Sequence, residues 1–162
     1  MVRDNSFKLA LEERQGVTQG TESEETLSTF LAESLGLTPS RGKGIVAIKL
    51  VQLFSIISGK REVTLKTLKG QEVSVKNGAM RVEDVHKWLQ DSGVDIGTAQ
   101  LYNTYITDFQ RAGLITKKKY SMYGLKGDSL KEALSEVKRD WSKNFDRVLE
   151  HAVKLDETVR KK

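Results

Sequence analysis

The chain has 162 residues, with 27 Lys and Arg against 22 Asp and Glu, a formal net charge of +5, 38% hydrophobic residues, one Pro and no Cys. That length favours one compact domain with room for an added element, and the lean apolar share supplies a core for only part of it. Without cysteine there is no disulfide framework, thiolate zinc site, thiol nucleophile or iron–sulfur cluster.

The two histidines, His86 and His151, stand far apart with no second ligand at metal spacing. No apolar run approaches the roughly 18–20 residues that span a bilayer. Asp4, Glu12 and Glu13 fall where a signal peptide needs a clean apolar stretch. A soluble cytoplasmic protein with no membrane partner is expected. Residues 1–43 carry five basic and seven acidic side chains, residues 44–128 thirteen and eight, and residues 129–162 nine and seven. The positive excess therefore lies in the middle segment, as it would if that segment meets a polyanion.

In chain order, Phe7, Leu9 and Leu11 offer a short apolar contact, and 16–25 is polar and flexible in composition. Thr21-Glu22-Ser23-Glu24-Glu25 supplies hydroxyl caps and first-turn acids for a helix. Leu27, Phe30, Leu31, Ser34 and Leu35 follow at helical spacing, and Gly36 and Pro39 end it. This segment, 1–43, reads as an N-terminal arm with a short amphipathic helix. Arg41-Gly42-Lys43-Gly44 links it to the domain at 44–128.

A helix over 45–58 has an apolar stripe of Val46, Leu50, Leu53, Phe54 and Ile57, closed by Gly59. Alternation at Val63/Leu65 and Val73/Val75 around Lys69-Gly70 makes 61–68 and 71–76 a hairpin, or one of them a lone strand. Asn77-Gly78 is a turn. A helix over 81–92 presents Val82, Val85, Trp88 and Leu89 on one face and ends at Gly93. Asp95 caps a helix over 97–112, Gly113 stops it, and strands from Leu114 and over 122–125 follow. A continuous helix of about 50 Å runs from Ser129.

The order over 45–127 is helix, strand or hairpin, helix, turn, helix, strand, strand. It resembles the winged helix-turn-helix superfamily. The resemblance is densest over 82–127, where Gly93 breaks two helices, Ile96-Gly97-Thr98 starts the second and Ala112-Gly113-Leu114-Ile115 stops it into a strand. The long insert before Arg81 departs from the pattern. The resemblance implies a mainly α fold with a small β-wing (α+β). It also implies sequence-specific double-stranded DNA binding, in transcription regulation or in plasmid, phage or chromosome maintenance.

The residues support this on their own terms. At about 100° per residue, Tyr102, Tyr105, Ile106 and Phe109 share one side of the 97–112 helix. Gln100, Asn103, Thr104, Thr107 and Arg111 share the other, and amide, hydroxyl and guanidinium groups bond base edges and phosphates. Thr98, in the first turn, leaves backbone N–H groups open to a phosphate. Lys117, Lys118 and Lys119, beside Tyr120, form a cationic wing. The plainer reading is a solvated helix face and an edge strand protected by lysine.

From Leu130, the residues Leu134, Val137, Trp141, Phe145, Val148, Ala152, Leu155 and Val159 recur at spacings of four and three. An extra four-residue step at 141–145 makes a stutter in a heptad seam. The expected solution is a homodimer through 134–155; the alternative folds the helix back on its own domain. No enzyme, cofactor or metal is expected. Ser40-Arg41-Gly42-Lys43-Gly44 lacks the first glycine and the final hydroxyl of a phosphate loop, and the tyrosines lack the His cluster of a strand-nicking centre. The other readings are a protein-interaction scaffold, with the N-terminal helix docking a partner, and structured-RNA binding.

Overall fold

A computed structural model describes residues 23–38 and 44–161. The apolar contact at Phe7, Leu9 and Leu11, the cap at Thr21, the stop at Pro39 and the linker at 41–43 lie outside these residues. Helix α1 (Glu24–Ser34) starts at Ser23, whose Oγ accepts from the Thr26 N–H at 3.1 Å while Thr26 Oγ1 accepts from the Ser23 N–H at 2.7 Å. That reciprocal pair satisfies two free donors, with Glu24 and Glu25 placed favourably in the first turn.

The first helix is not a free arm. Ala32, Leu35 and Leu37 are buried in the main core, and α1 packs on α2 (Gly44–Ile57). The domain therefore begins before residue 43. Short side chains on α1 and the mixed apolar faces of α2 explain the merger, because α2 buries Val46, Ala47, Leu50, Val51, Leu53, Phe54 and Ile57. A helix apolar on several faces needs neighbours on several sides.

Strands β1 (Glu62–Lys66) and β2 (Glu72–Lys76) form the expected hairpin. Val73 and Val75 face the core, and α3 (Val82–Asp91) packs on β2. The buried Asp91 carboxylate at the end of α3 accepts from Thr67 Oγ1 and, at 3.1 Å, from Gln71 Nε2. These bonds tie the hairpin turn to the helix. Asn77 and Gly78, at φ 52° and 70°, make the two-residue turn into β3 (Ala79–Arg81).

The fourth helix run covers 98–111 and is labelled α4. It comprises α-helical Thr98–Gln100, π-helical Leu101–Ile106 and α-helical Thr107–Arg111. Gly97, not Asp95, occupies its N-cap. Strands β4 (Ile115–Lys118) and β5 (Met122–Leu125) follow. The sheet order is β1-β2-β3-β5-β4, all antiparallel. The fold is α+β, and its sheet is larger than the small wing expected, because β3 joins the hairpin to β4–β5.

Helix α5 (Leu130–Arg160) spans 31 residues, about 47 Å at the usual rise. Ser129 Oγ accepts from the Glu132 N–H at 3.2 Å, and Glu132 returns to the Asp128 N–H at 2.7 Å. Ala133 and Val137 are buried and Leu130 and Leu134 pack on the core, so Leu134 and Val137 serve the domain's own packing instead of an open seam. From Phe145 to Lys161 every residue is exposed. Among the described residues, no helix is long and apolar enough to cross a membrane.

Candidate nucleic-acid interface

The site begins with the turn before α4. His86 Nε2 lies 2.7 Å from the Ile96 carbonyl, which only accepts, so that nitrogen carries the proton. With Val94 and Ile96 buried, this bond sets where α4 starts. The N-cap Gly97 has no side chain to cap the first turn, which leaves donors there for solvent or ligand.

The π-turn changes which residues α4 shows. Bonds from i to i+5 widen one turn and shift the faces that follow. Leu101, Tyr105, Ile106 and Phe109 point inward, whereas Tyr102, expected on the packed side, is 43% exposed. Thr107 Oγ1 donates to the Tyr102 carbonyl at 2.9 Å, so its hydroxyl serves the widened turn. Thr104 and Thr107 are half-buried, Gln100, Asn103 and Arg111 are exposed, and Arg111 lies 4.0 Å from Asp108. The outer face of α4 thus keeps Gln100 and Asn103 fully presented.

The three lysines also separate. Lys117 and Ile115 share the helix-facing side of β4 by strand alternation, and Lys117 lines the same groove as Thr98 and Ala99 in the first turn of α4. Lys118 points to the other side, where its Nζ donates to the Asn77 carbonyl at 2.9 Å. Lys119 is exposed in the short 3₁₀ link, Lys119–Ser121. Hence two of the three are available to a ligand and the third braces the β2–β3 turn.

A groove of about 490 Å³ runs between α4 and the β4–β5 link. Thr98, Ala99 and Tyr102 line it from α4, Lys117, Tyr120 and Tyr123 from the sheet, and Arg81 and Glu83 from the β3–α3 junction. Arg81 faces Met122 across β3–β5, which brings it to this end of the sheet. Among the described residues, none of Arg81, Lys117 and Lys119 is ion-paired with a carboxylate.

Tyr102 and Tyr123 meet edge to face, with centroids 6.3 Å apart. Burial pushes the Tyr123 phenol up to about 12, with the hydroxyl of Tyr102 adding to the shift. A raised folded value means the protonated phenol is the form that stabilises the fold. The contribution is full below the ordinary 10.0 and is lost as pH climbs toward about 12. Ultraviolet titration of phenolates is expected to show Tyr123 ionising late, together with alkaline unfolding. Replacement by Phe should remove the late phase, and a late phase that persists would contradict the assignment.

Arg81 and the groove position of Tyr102 were not legible in the residue pattern. A three-residue strand gives too short an alternation to reveal β3, and a π-turn leaves no spacing signature. Comparison with family models, with curated proteins and with solved structures finds no match for this chain.

Proposed function

We propose that the protein binds double-stranded DNA as a winged helix-turn-helix module, and that it does so as a homodimer joined through α5. One observation carries the reading. Arg81 and Lys117, neither ion-paired with a carboxylate among the described residues, line a groove at the first turn of α4, whose outer face is polar, and the strands after that helix run back beside it. The order α2, β3, α3, α4, β4, β5, with β3 beside β5 and β5 beside β4, supports the superfamily resemblance, and the β1–β2 hairpin is an insert before β3.

In this reading Gln100 and Asn103 contact base edges, Thr98 and the first-turn N–H groups meet a phosphate, and Arg81, Lys117 and Lys119 neutralise phosphates. Thr104 and Arg111 lie at the margins, and Thr107 and Lys118 position other groups. The exposed stripe of α5 at Phe145, Val148, Ala152 and Leu155 pairs with a second copy, and two copies of α4 would favour an inverted-repeat site. The role is transcription regulation or plasmid, phage or chromosome maintenance, which implies a cytoplasmic, nucleoid-associated location.

A salt-dependent mobility shift with duplex DNA tests it. Changing Arg81, Lys117 and Lys119 together to Ala is expected to weaken binding and to flatten the salt slope by about two to three, at roughly 0.9 per phosphate contact. An unchanged slope would remove these residues from the interface. Absence of any shift with the native chain would leave the scaffold reading.

A further inference from the structure

We infer that the groove beside Tyr120 takes one unpaired nucleotide of a DNA strand, with its base on the Tyr120 ring and its phosphate between Arg81 and Lys117. This rests on the duplex reading above and goes beyond it.

The backbone is the first ground. Tyr120 and Ser121 are consecutive non-glycine residues at φ 62° and 55°. Asn or Gly would hold that left-handed link more comfortably than an aromatic. Such strain, where it persists, often marks a ligand-holding residue. The Tyr120 ring does not repay it by packing, since the residue is 69% exposed.

The ring is nevertheless held. Lys76 Nζ stands over it, 5.2 Å from the centroid. A cation on one face orients the ring and leaves its other face for a planar partner. Two grooves of about 490 Å³ each meet at Tyr120 and Arg81. The groove over β1 and β2 sets the carboxylates of Glu62 and Asp84 against Lys76 and Arg81, which leaves no net positive charge for a phosphate. The groove beside α4 carries Lys117 with Arg81 and one carboxylate, Glu83, so the phosphate is directed there.

A base inside a duplex is stacked on both sides and has no face to offer. A stacking surface therefore selects a base at an overhang, a gap or a flipped position.

The test is fluorescence anisotropy with the full chain, comparing a blunt duplex with the same duplex bearing a short single-stranded overhang. A nucleoside monophosphate serves as competitor. The overhang is expected to bind about tenfold tighter, within the range for one stacked base. Tyr120→Phe should keep that ratio and Tyr120→Asn, which tolerates the left-handed backbone, should abolish it. Equal binding of the two DNAs, or a ratio surviving in Tyr120→Asn, overturns the inference and leaves the duplex reading standing. A monophosphate that competes as well as the overhang strand assigns the groove to a free nucleotide and overturns the strand assignment. No binding to either DNA overturns both readings together.

Discussion

Replacing Val148 and Leu155 with Glu is expected to halve the mass of the protein measured by light scattering at micromolar concentration. The reasoning starts from exposure. Phe145, Val148, Leu149, Val153, Leu155 and Val159 are between 45% and 64% exposed on a helix that touches its own domain only near its start. A lone helix in water is held by propensity alone, and an amphipathic one gains most of its stability from a covered face. Trp141 and Phe145 already stack, with centroids 5.5 Å apart, and lead the stripe away from the domain.

Burying one such side chain is worth about 1.5–3 kcal/mol, and the symmetry of a dimer doubles every substitution. Four carboxylates in one seam thus forfeit roughly 6–12 kcal/mol of burial before their mutual repulsion is counted. Ordinary dimer affinities do not survive that loss. The domain should keep its own melting transition, because neither residue belongs to its core. A native chain that is already monomeric at this concentration, or a doubly substituted chain of unchanged mass, would sink the proposed α5 pairing.

The parts of the fold that were legible in the sequence are those whose pattern is long or chemically sharp. The stripe of α2 is buried residue for residue, Asn77-Gly78 forms its turn, and β5 spans the four residues expected of it. Alternation in 61–76 gave a hairpin but no partner for it, since the ladder that joins it to β5 passes through β3, only three residues long. The capping position went to Gly97 instead of Asp95 because buried Val94 and Ile96 fix the turn more firmly than a side-chain cap does.

The candidate site was legible in part for a related reason. A projection at a constant angle describes an α-helix, and the π-turn at Leu101–Ile106 departs from it, so Tyr102 left the core for the groove. Consecutive lysines on a strand alternate between faces, which is why Lys117 and Lys118 do different work. The C-terminal heptads likewise hid a division of labour, with Leu134 and Val137 on the domain and the stripe beyond Phe145 left open.

Gly124→Ala is expected to lower stability by about 3 kcal/mol, the upper part of the range for overpacking, which corresponds to a fall of roughly 6–12 °C in Tm for a chain of this size. Gly124 lies in β5 between Ala79 of β3 and Thr116 of β4. A Cβ there would clash with the Gly78 carbonyl oxygen and meet the Ala79 Cα at 3.1 Å. Both are backbone atoms, so no side chain can rotate away. The turn itself has little room to retreat. Its Gly78 N–H donates to the Lys60 carbonyl at 2.7 Å, its Asn77 N–H donates to the Arg61 carbonyl, and Lys118 holds the Asn77 carbonyl.

The strands must therefore separate at β3–β5, the ladder that carries Arg81 opposite Met122. Under the proposed DNA-binding reading, affinity for duplex DNA falls together with stability, because Arg81 leaves the groove. Gly44→Ala is the matched control: Gly44 opens α2, its nearest Cβ neighbour is Thr38 Cγ2 at 3.8 Å, and helix propensity favours Ala by up to about 1 kcal/mol. Calorimetry showing Gly124→Ala melting with the native chain would mean that β5 does not lie against the 77–78 turn as described.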